Sequence, residues 1–444
     1  MVRGDCLHEP VVGHPAFVQE HGPEAGQLHW QVLQNLRAWL AVEESARDTL
    51  VLPPAPDVED RSRYLQAVTP RLERLDRVVR WADADVSFER RHRIIAHTAA
   101  WVAEWAEEAG AFTTGLGYAQ VAAALLPDEP WNLYHVGRPA RKAGEPRHAV
   151  TWLRRAWRAA REQEDTDTLV LVLEALGHVR REGGQLRRAR SYYRRAYESA
   201  RLQGRAALAG DMLADLCLTE LEMGNIAAAL PNLEHALALF GPGDVRILHL
   251  AHEAAWLLMD TYGVFRPPFQ VFDALLEHVW EPRSRIFLQA HRARAAAGAR
   301  LYREFERSWN DAIMLANRPE TQRVRSTALV QLSLAAALLR NFTRARYALL
   351  EASPLPRSQH NEESVASKLM CALDSDPPAV ELWEALSPPV PSAVHKVEAR
   401  RVCRSAVERL RRRDRGDPFS ASCREPKLPQ ESALGAPGGD EYSG

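Results

Sequence analysis

Residues 173–196 read LEALGHVRREGGQLRRARSYYRRA, and their small, apolar and aromatic positions recur forty residues away on either side. Gly137, Gly177 and Cys217 fall in register, as do Gly144, Gly184 and Gly224. Behind them run Ala149, Ala189 and Ala229, then Leu153, Tyr193 and Leu233, then Ala156, Ala196 and Ala236. A fixed period of that length marks one supersecondary unit stacked on copies of itself, which removes most enzyme folds before any site is considered. Each register position has a physical task. The early Gly or Cys and the late pair of Ala stand where two antiparallel helices approach to about 8–10 Å. The glycine between them supplies the left-handed conformation that ends the first helix. The large apolar residue fills the space between neighbouring units.

The pattern Leu173-x-x-Leu176-Gly177, then Gly184, then Ala189-x-x-x-Tyr193-x-x-Ala196 resembles the tetratricopeptide repeat, in a long-period bacterial form. Upstream, Val102, Gly110, Ala119 and Ala122 repeat the scheme, with Gly110 thirty-four residues before Gly144, the ordinary spacing of that family. Downstream, Leu332, Asn341, Ala345 and Leu349 make a further copy. Degenerate units lie around Trp256 to Leu275 and Ala293 to Ala312, with Phe272 and Trp309 in the large-residue position. The resemblance implies an all-α fold, a right-handed α-solenoid of stacked antiparallel helix pairs over residues 91–352. The chain departs from the family in its forty-residue central spacing, which calls for helices about one turn longer. It also carries Ala140 and Arg180 where the first helix usually has an aromatic.

The flanks divide by composition. Residues 1–26 read as a flexible N-terminus. Residues 27–90 read as a helical cap, with amphipathic stretches at 27–50 and 61–83 separated by a Pro-rich break at Leu52 to Pro56. Residues 353–413 read as a C-terminal cap of shorter helices, at about 362–374 and 378–386, followed by a basic helix over 394–413. From 414 to 444 the Pro, Gly and Ser content indicates a disordered tail. Five scattered cysteines, Cys6, Cys217, Cys371, Cys403 and Cys423, give neither a disulfide framework nor a metal-binding spacing. Met1 to Gly22 has no apolar core of signal-peptide length. The longest apolar run, near Leu332 to Leu339, is far short of a membrane span. The expectation is a cytoplasmic protein without a membrane partner.

Charge is unevenly placed. Between Arg138 and Arg205 stand 17 Arg and Lys against 8 Asp and Glu, a local +9 in a chain of net −1. A turn of 100° per residue sets Arg147, Arg154, Arg155, Arg158 and Arg161 on one arc, opposite Ala149, Trp152, Leu153, Ala156 and Ala160. In the next copy Arg187, Arg188, Arg190, Arg194 and Arg195 lie off the stripe of Leu186, Ala189, Tyr193, Ala196 and Ala200. Such a face is a solvated exterior or a surface for nucleic acid or an acidic protein.

In the resembled family the first helix of each unit lines a groove that holds an extended peptide or a partner helix. Carried over by position, the groove takes Trp131, Tyr134, Arg138, Arg141 and Lys142 from one copy. Glu174, His178 and Arg181 come from the next, and Asp211, Ala214 and Leu218 from the third. Arginine with aromatic residues suits an acidic or carboxylate-bearing ligand. The carboxylate clamp of the family's chaperone-binding members is not reproduced, because Tyr134, Arg138, Glu174 and His178 occupy its positions.

Catalytic constellations are scarce. His249-Leu-Ala-His252-Glu253 lacks the HExxH order of a zinc hydrolase. His92 and His97 are five apart and do not share a helix face. Gly115-Leu-Gly117 lacks a third glycine and a preceding strand. Cys217 reads as a small core residue, and Glu104, Glu107 and Glu108, like Glu43 and Glu44, as helix surface charge. No enzyme activity, metal or cofactor is expected. Three roles remain: a protein- or peptide-binding scaffold, a regulatory sensor without its own DNA-binding domain, and a nucleic-acid-associated protein. Stacking also predicts that the degenerate copies near 250–315 open before those at 130–240.

Overall fold

A computed structural model describes residues 14–56, 63–80, 88–241, 243–352, 368–373 and 389–413, and among them there is helix and connecting chain but no strand. Three helices lead in: α1 (His14–His21), α2 (Pro23–Ala41) and α3 (Arg63–Arg80). Seven hairpin pairs follow. They are α4 (Phe88–Glu108) with α5 (Phe112–Leu125), α6 (Pro130–Lys142) with α7 (Pro146–Glu162), and α8 (Thr166–Glu182) with α9 (Leu186–Leu202). Then come α10 (Ala206–Glu222) with α11 (Ile226–Leu239), α12 (Arg246–Tyr262) with α13 (Arg266–Leu276), α14 (Pro282–Gly298) with α15 (Tyr302–Ala316), and α16 (Gln322–Leu338) with α17 (Phe342–Glu351). The last described helix is α18 (Ala393–Arg413). No helix among the described residues is long and apolar enough to cross a membrane.

The turn inside each pair has one recurring solution. Gly110, Gly144, Gly184, Gly224 and Gly263 all have positive φ, and Arg300 and Arg340 occupy the same place at φ 58° and 57°. In six of the seven turns the next amide reaches back five residues to a carbonyl: Ala111 to Ala106, Glu145 to Ala140, Gln185 to Arg180, Asn225 to Glu220, Leu301 to Ala296 and Asn341 to Ala336. This six-to-one bond satisfies carbonyls that the helix end would leave orphaned.

Packing follows the register. The second helices bury one stripe, such as Ala149, Trp152, Leu153, Ala156 and Ala160 on α7, or Ala189, Tyr193, Ala196 and Ala200 on α9. The first helices are covered on more sides; α8 and α10 each touch their own partner and the second helix of the preceding pair. Gly177 makes room for the aromatic ring of its pair, for a Cβ there would stand 2.5 Å from the Tyr193 ring. The apolar interior runs along the chain as successive clusters, from Phe17 through Tyr193 and Phe272 to Leu373.

Two placements differ from the sequence reading. Residues 14–26, expected to be flexible, are helical and packed. Phe17 is buried, and the Glu20 carboxylate accepts hydrogen bonds from the Thr113 and Thr114 amides at 2.7 and 3.0 Å. An anion at the N-terminus of α5 answers its unsatisfied amides, and the sequence supplies that anion from about ninety residues away. The basic helix α18, read as following the C-terminal cap, does not pack beside α17. It lies against α11, α12 and α13, filling the place where α11 would otherwise meet the next pair. Ala399, Val402, Cys403, Ala406 and Leu410 are buried there, and Arg409 donates to the Phe240 carbonyl at 2.6 Å. Residues 368–373 are helical, with Leu369 and Leu373 packed in the last cluster. The helix expected at 378–386, the first thirteen residues and the tail from 414 lie outside the described residues.

Candidate functional site

The polar side chains of the first helices meet one another across the unit boundaries. Glu107 of α4 takes Arg138 and Lys142 of α6 at 2.9 and 2.7 Å. Arg141 of α6 pairs with Glu182 of α8, and Arg181 of α8 pairs with Glu222 of α10 at 2.6 Å. Asp211 of α10 receives Arg246 of α12 at 3.0 Å. His252 of α12 faces His291 of α14 at 2.9 Å, and Arg294 of α14 reaches back to Asp260 at 2.8 Å and forward to Gln331 of α16 at 3.1 Å. A continuous polar seam therefore links α4, α6, α8, α10, α12, α14 and α16.

All eleven side chains carried over as groove residues lie on the helices of this seam, but they do not present one open surface. Trp131 is 41% exposed, its ring 4.5 Å from that of His135. Tyr134 is only 4% exposed, with the Arg138 guanidinium 5.5 Å above its ring. Burial raises the Tyr134 phenol well above its ordinary range. Arg138, Arg141, Lys142 and Arg181 are each held by a carboxylate of the protein itself. Those carboxylates keep Arg181 charged against the cost of its burial.

Glu174 and His178 stand one turn apart on α8 and converge on Asp215 of α10. His178 Nε2 lies 3.7 Å from Glu174 Oε1 and 3.5 Å from Asp215 Oδ2, while Nδ1 faces the Tyr193 hydroxyl at 2.9 Å. Burial pushes the imidazole down, but Asp215 and then Glu174 outweigh it and leave it raised. Burial lifts the Asp215 carboxyl to about 6. Asp211, four residues back on α10, is lifted to about 6 by the same cause.

Further along, burial lowers His291 well below the imidazole range and lowers His249, whereas hydrogen bonding to His252 holds Glu253 down despite its burial. Within α6, burial depresses His135 to about 4.

Asp215 was missed by position. Its register column contains His135 and Ala175, to which the sequence reading gave no role, while the groove positions of the third copy fall on Asp211, Ala214 and Leu218. The arginine ladder did have a signature. Arg141 to Glu182 and Arg181 to Glu222 share an offset of 41, one period plus one residue. Cys217 is buried as read, and burial pushes its thiol up to about 12.

The outward arginines behave differently. Arg154, Arg158, Arg187, Arg188, Arg194 and Arg195 are exposed and Arg155 is half-buried over the Trp152 ring. None of the seven has a carboxylate partner among the described residues; Arg188 donates only to Gln185. No protein-family model matches this chain, and no curated protein matches it in sequence.

Proposed function

We propose that the chain is a non-enzymatic binding scaffold, a right-handed α-solenoid of the tetratricopeptide type, which holds a protein or peptide along the row of first helices and serves as an adaptor in a multi-protein or regulatory system. The observation that carries this reading is the repetition of one hairpin turn in pair after pair while the first helices keep their polar side chains on a shared seam. A repeated unit with a common lining is suited to an extended partner, which meets equivalent positions in succession. Arginines and Trp131 within that lining favour an acidic segment. The partner's carboxylates exchange with Glu107 and Glu182 on Arg138 and Arg141, so binding is selective but modest in strength.

The test is affinity capture from the native host, followed by titration of the recovered partner. Arg138→Ala with Arg141→Ala weakens the complex about tenfold or more. Glu182→Gln, which frees Arg141, strengthens an acidic partner several-fold. Unchanged affinity in both variants removes the first helices as the binding surface.

A second reading is favoured by the contrast between the paired seam and the unpaired outward arginines: contact with a polyanion such as RNA through α7 and α9. Its signature is affinity that falls steeply with salt and is lost in Arg154→Gln with Arg158→Gln. Binding without salt dependence excludes it.

A further inference from the structure

Once the ion pairs of the seam are set aside, one group of donors remains. Around it Arg141 is taken by Glu182, Arg181 by Glu222, and Arg246 by Asp244 and Asp211. His178 is the basic group within ion-pair distance of both Glu174 and Asp215, with Arg138 acting on Glu174 and Arg181 on Asp215 from further off. Asp215 is 9% exposed, and its carboxylate keeps a little contact with solvent beside His178 Nε2 at 3.5 Å. Two carboxylates that share one imidazole carry more negative charge than it balances, which leaves a place for a further cation.

The geometry fits such a cation. One ligand atom from each of Glu174, His178 and Asp215 lies within 4.8 Å of the others, and the imidazole-to-carboxylate separations are 3.7 and 3.5 Å. Donors at about 2.0–2.2 Å from a common ion in a near-tetrahedral shell are separated by roughly 3.3–3.6 Å, so the imidazole-to-carboxylate separations already match to about a few tenths of an ångström, and the two carboxylates, within 4.8 Å of each other, need only a side-chain adjustment to close the shell. The imidazole is also oriented for the purpose. The Tyr193 hydroxyl occupies Nδ1, which fixes the ring and leaves Nε2 directed at the two carboxylates.

We propose that Glu174, His178 and Asp215 bind a divalent transition-metal ion, zinc being the best matched, which joins α8 to α10. One imidazole with two carboxylates suits zinc, cobalt or manganese over calcium, which takes six to eight oxygens. Three protein donors leave one position for water, so the ion is exchangeable and open to a fourth ligand. The site rests on side-chain placement in the full chain and does not depend on whether the first helices hold a partner.

The experiment uses the full chain, stripped with chelator and titrated with zinc chloride and cobalt chloride at micromolar concentration. One ion per chain binds, zinc raises the melting temperature, and cobalt gives the visible absorption of a four- or five-coordinate site. Glu174→Gln and His178→Ala each weaken binding at least tenfold. Tyr193→Phe weakens it about tenfold while leaving helix content unchanged, since it removes the orienting hydroxyl and keeps the ring. Glu174 is partly exposed, so its variant stays folded even where His178→Ala does not. Absence of saturable binding overturns the proposal. So does binding that survives Glu174→Gln but is lost in His252→Gln with His291→Gln, which places the ion on the imidazole pair.

Discussion

The Tyr193 ring stands where a side chain on Gly177 would have to go: Cε1 lies 2.5 Å from the site of an added Cβ, and Tyr193 itself is fully buried. Gly177→Ala therefore forces two helices apart or drives Tyr193 from its rotamer. A loss of about 1–3 kcal/mol in urea unfolding is the expected result. Gly137→Ala meets the Leu153 side chain at 2.6 Å and behaves likewise.

Arg300 and Arg340 hold a left-handed backbone that the earlier pairs assign to glycine. A residue with a Cβ pays roughly 1 kcal/mol for that conformation. Arg300→Gly and Arg340→Gly each raise stability by about 0.5–1 kcal/mol in the same assay, a gain moderated by the freer unfolded chain. Gly144→Ala, in open space at φ 83°, loses a comparable amount through strain alone.

Acid weakens the fold through imidazoles held neutral. His135, lowered to about 4 by burial, binds its proton more weakly when folded than when unfolded. Its contribution is complete above the ordinary value of 6.5 and is lost as pH falls from there to about 4. His29 and His291, lowered well below the imidazole range by burial, act in the same direction. Asp211 acts in the opposite sense: raised to about 6, it favours the fold at low pH and loses that contribution as pH rises through 6. The difference between the wild type and His135→Gln isolates the histidine, on the order of 1–3 kcal/mol between pH 7.5 and 4. Equal slopes in the two proteins would show that His135 titrates normally.

Leu410 is fully buried against α11, α12 and α13. Leu410→Ala costs about 2–5 kcal/mol in the unfolding of that region. Hydrogen exchange is faster over 226–276, while 130–200 keeps its protection, because each helix packs mainly on its neighbours in the chain. A uniform rise along the chain would mean that the pairs unfold as one unit.

The period and the glycine-capped turns were legible because each is a local requirement repeated at fixed spacing. Gly144, Gly184 and Gly224 need only their own backbone to explain them. Arg300 and Arg340 were hidden, since nothing in an arginine announces a left-handed φ. The seam was half legible: Arg141, Glu174, His178 and Arg181 follow from helix position, but their partners Glu182, Asp215 and Glu222 depend on how adjacent helices are rotated about their axes. The reach of Glu20 to Thr113 and the seating of α18 were beyond sequence reading, because each joins segments with no shared period.

The docking of α18 also orders events in time. Arg409 and the Phe240 carbonyl that it reaches are 169 residues apart, whereas the paired helices find their neighbours almost as soon as they are made. At a synthesis rate of about 5–20 residues per second, the faces of α11, α12 and α13 wait on the order of 10–30 s before their covering helix exists. During that interval the nascent chain carries an apolar notch in its middle, which stays uncovered even after the last helix pair, ending at Glu351, has been made.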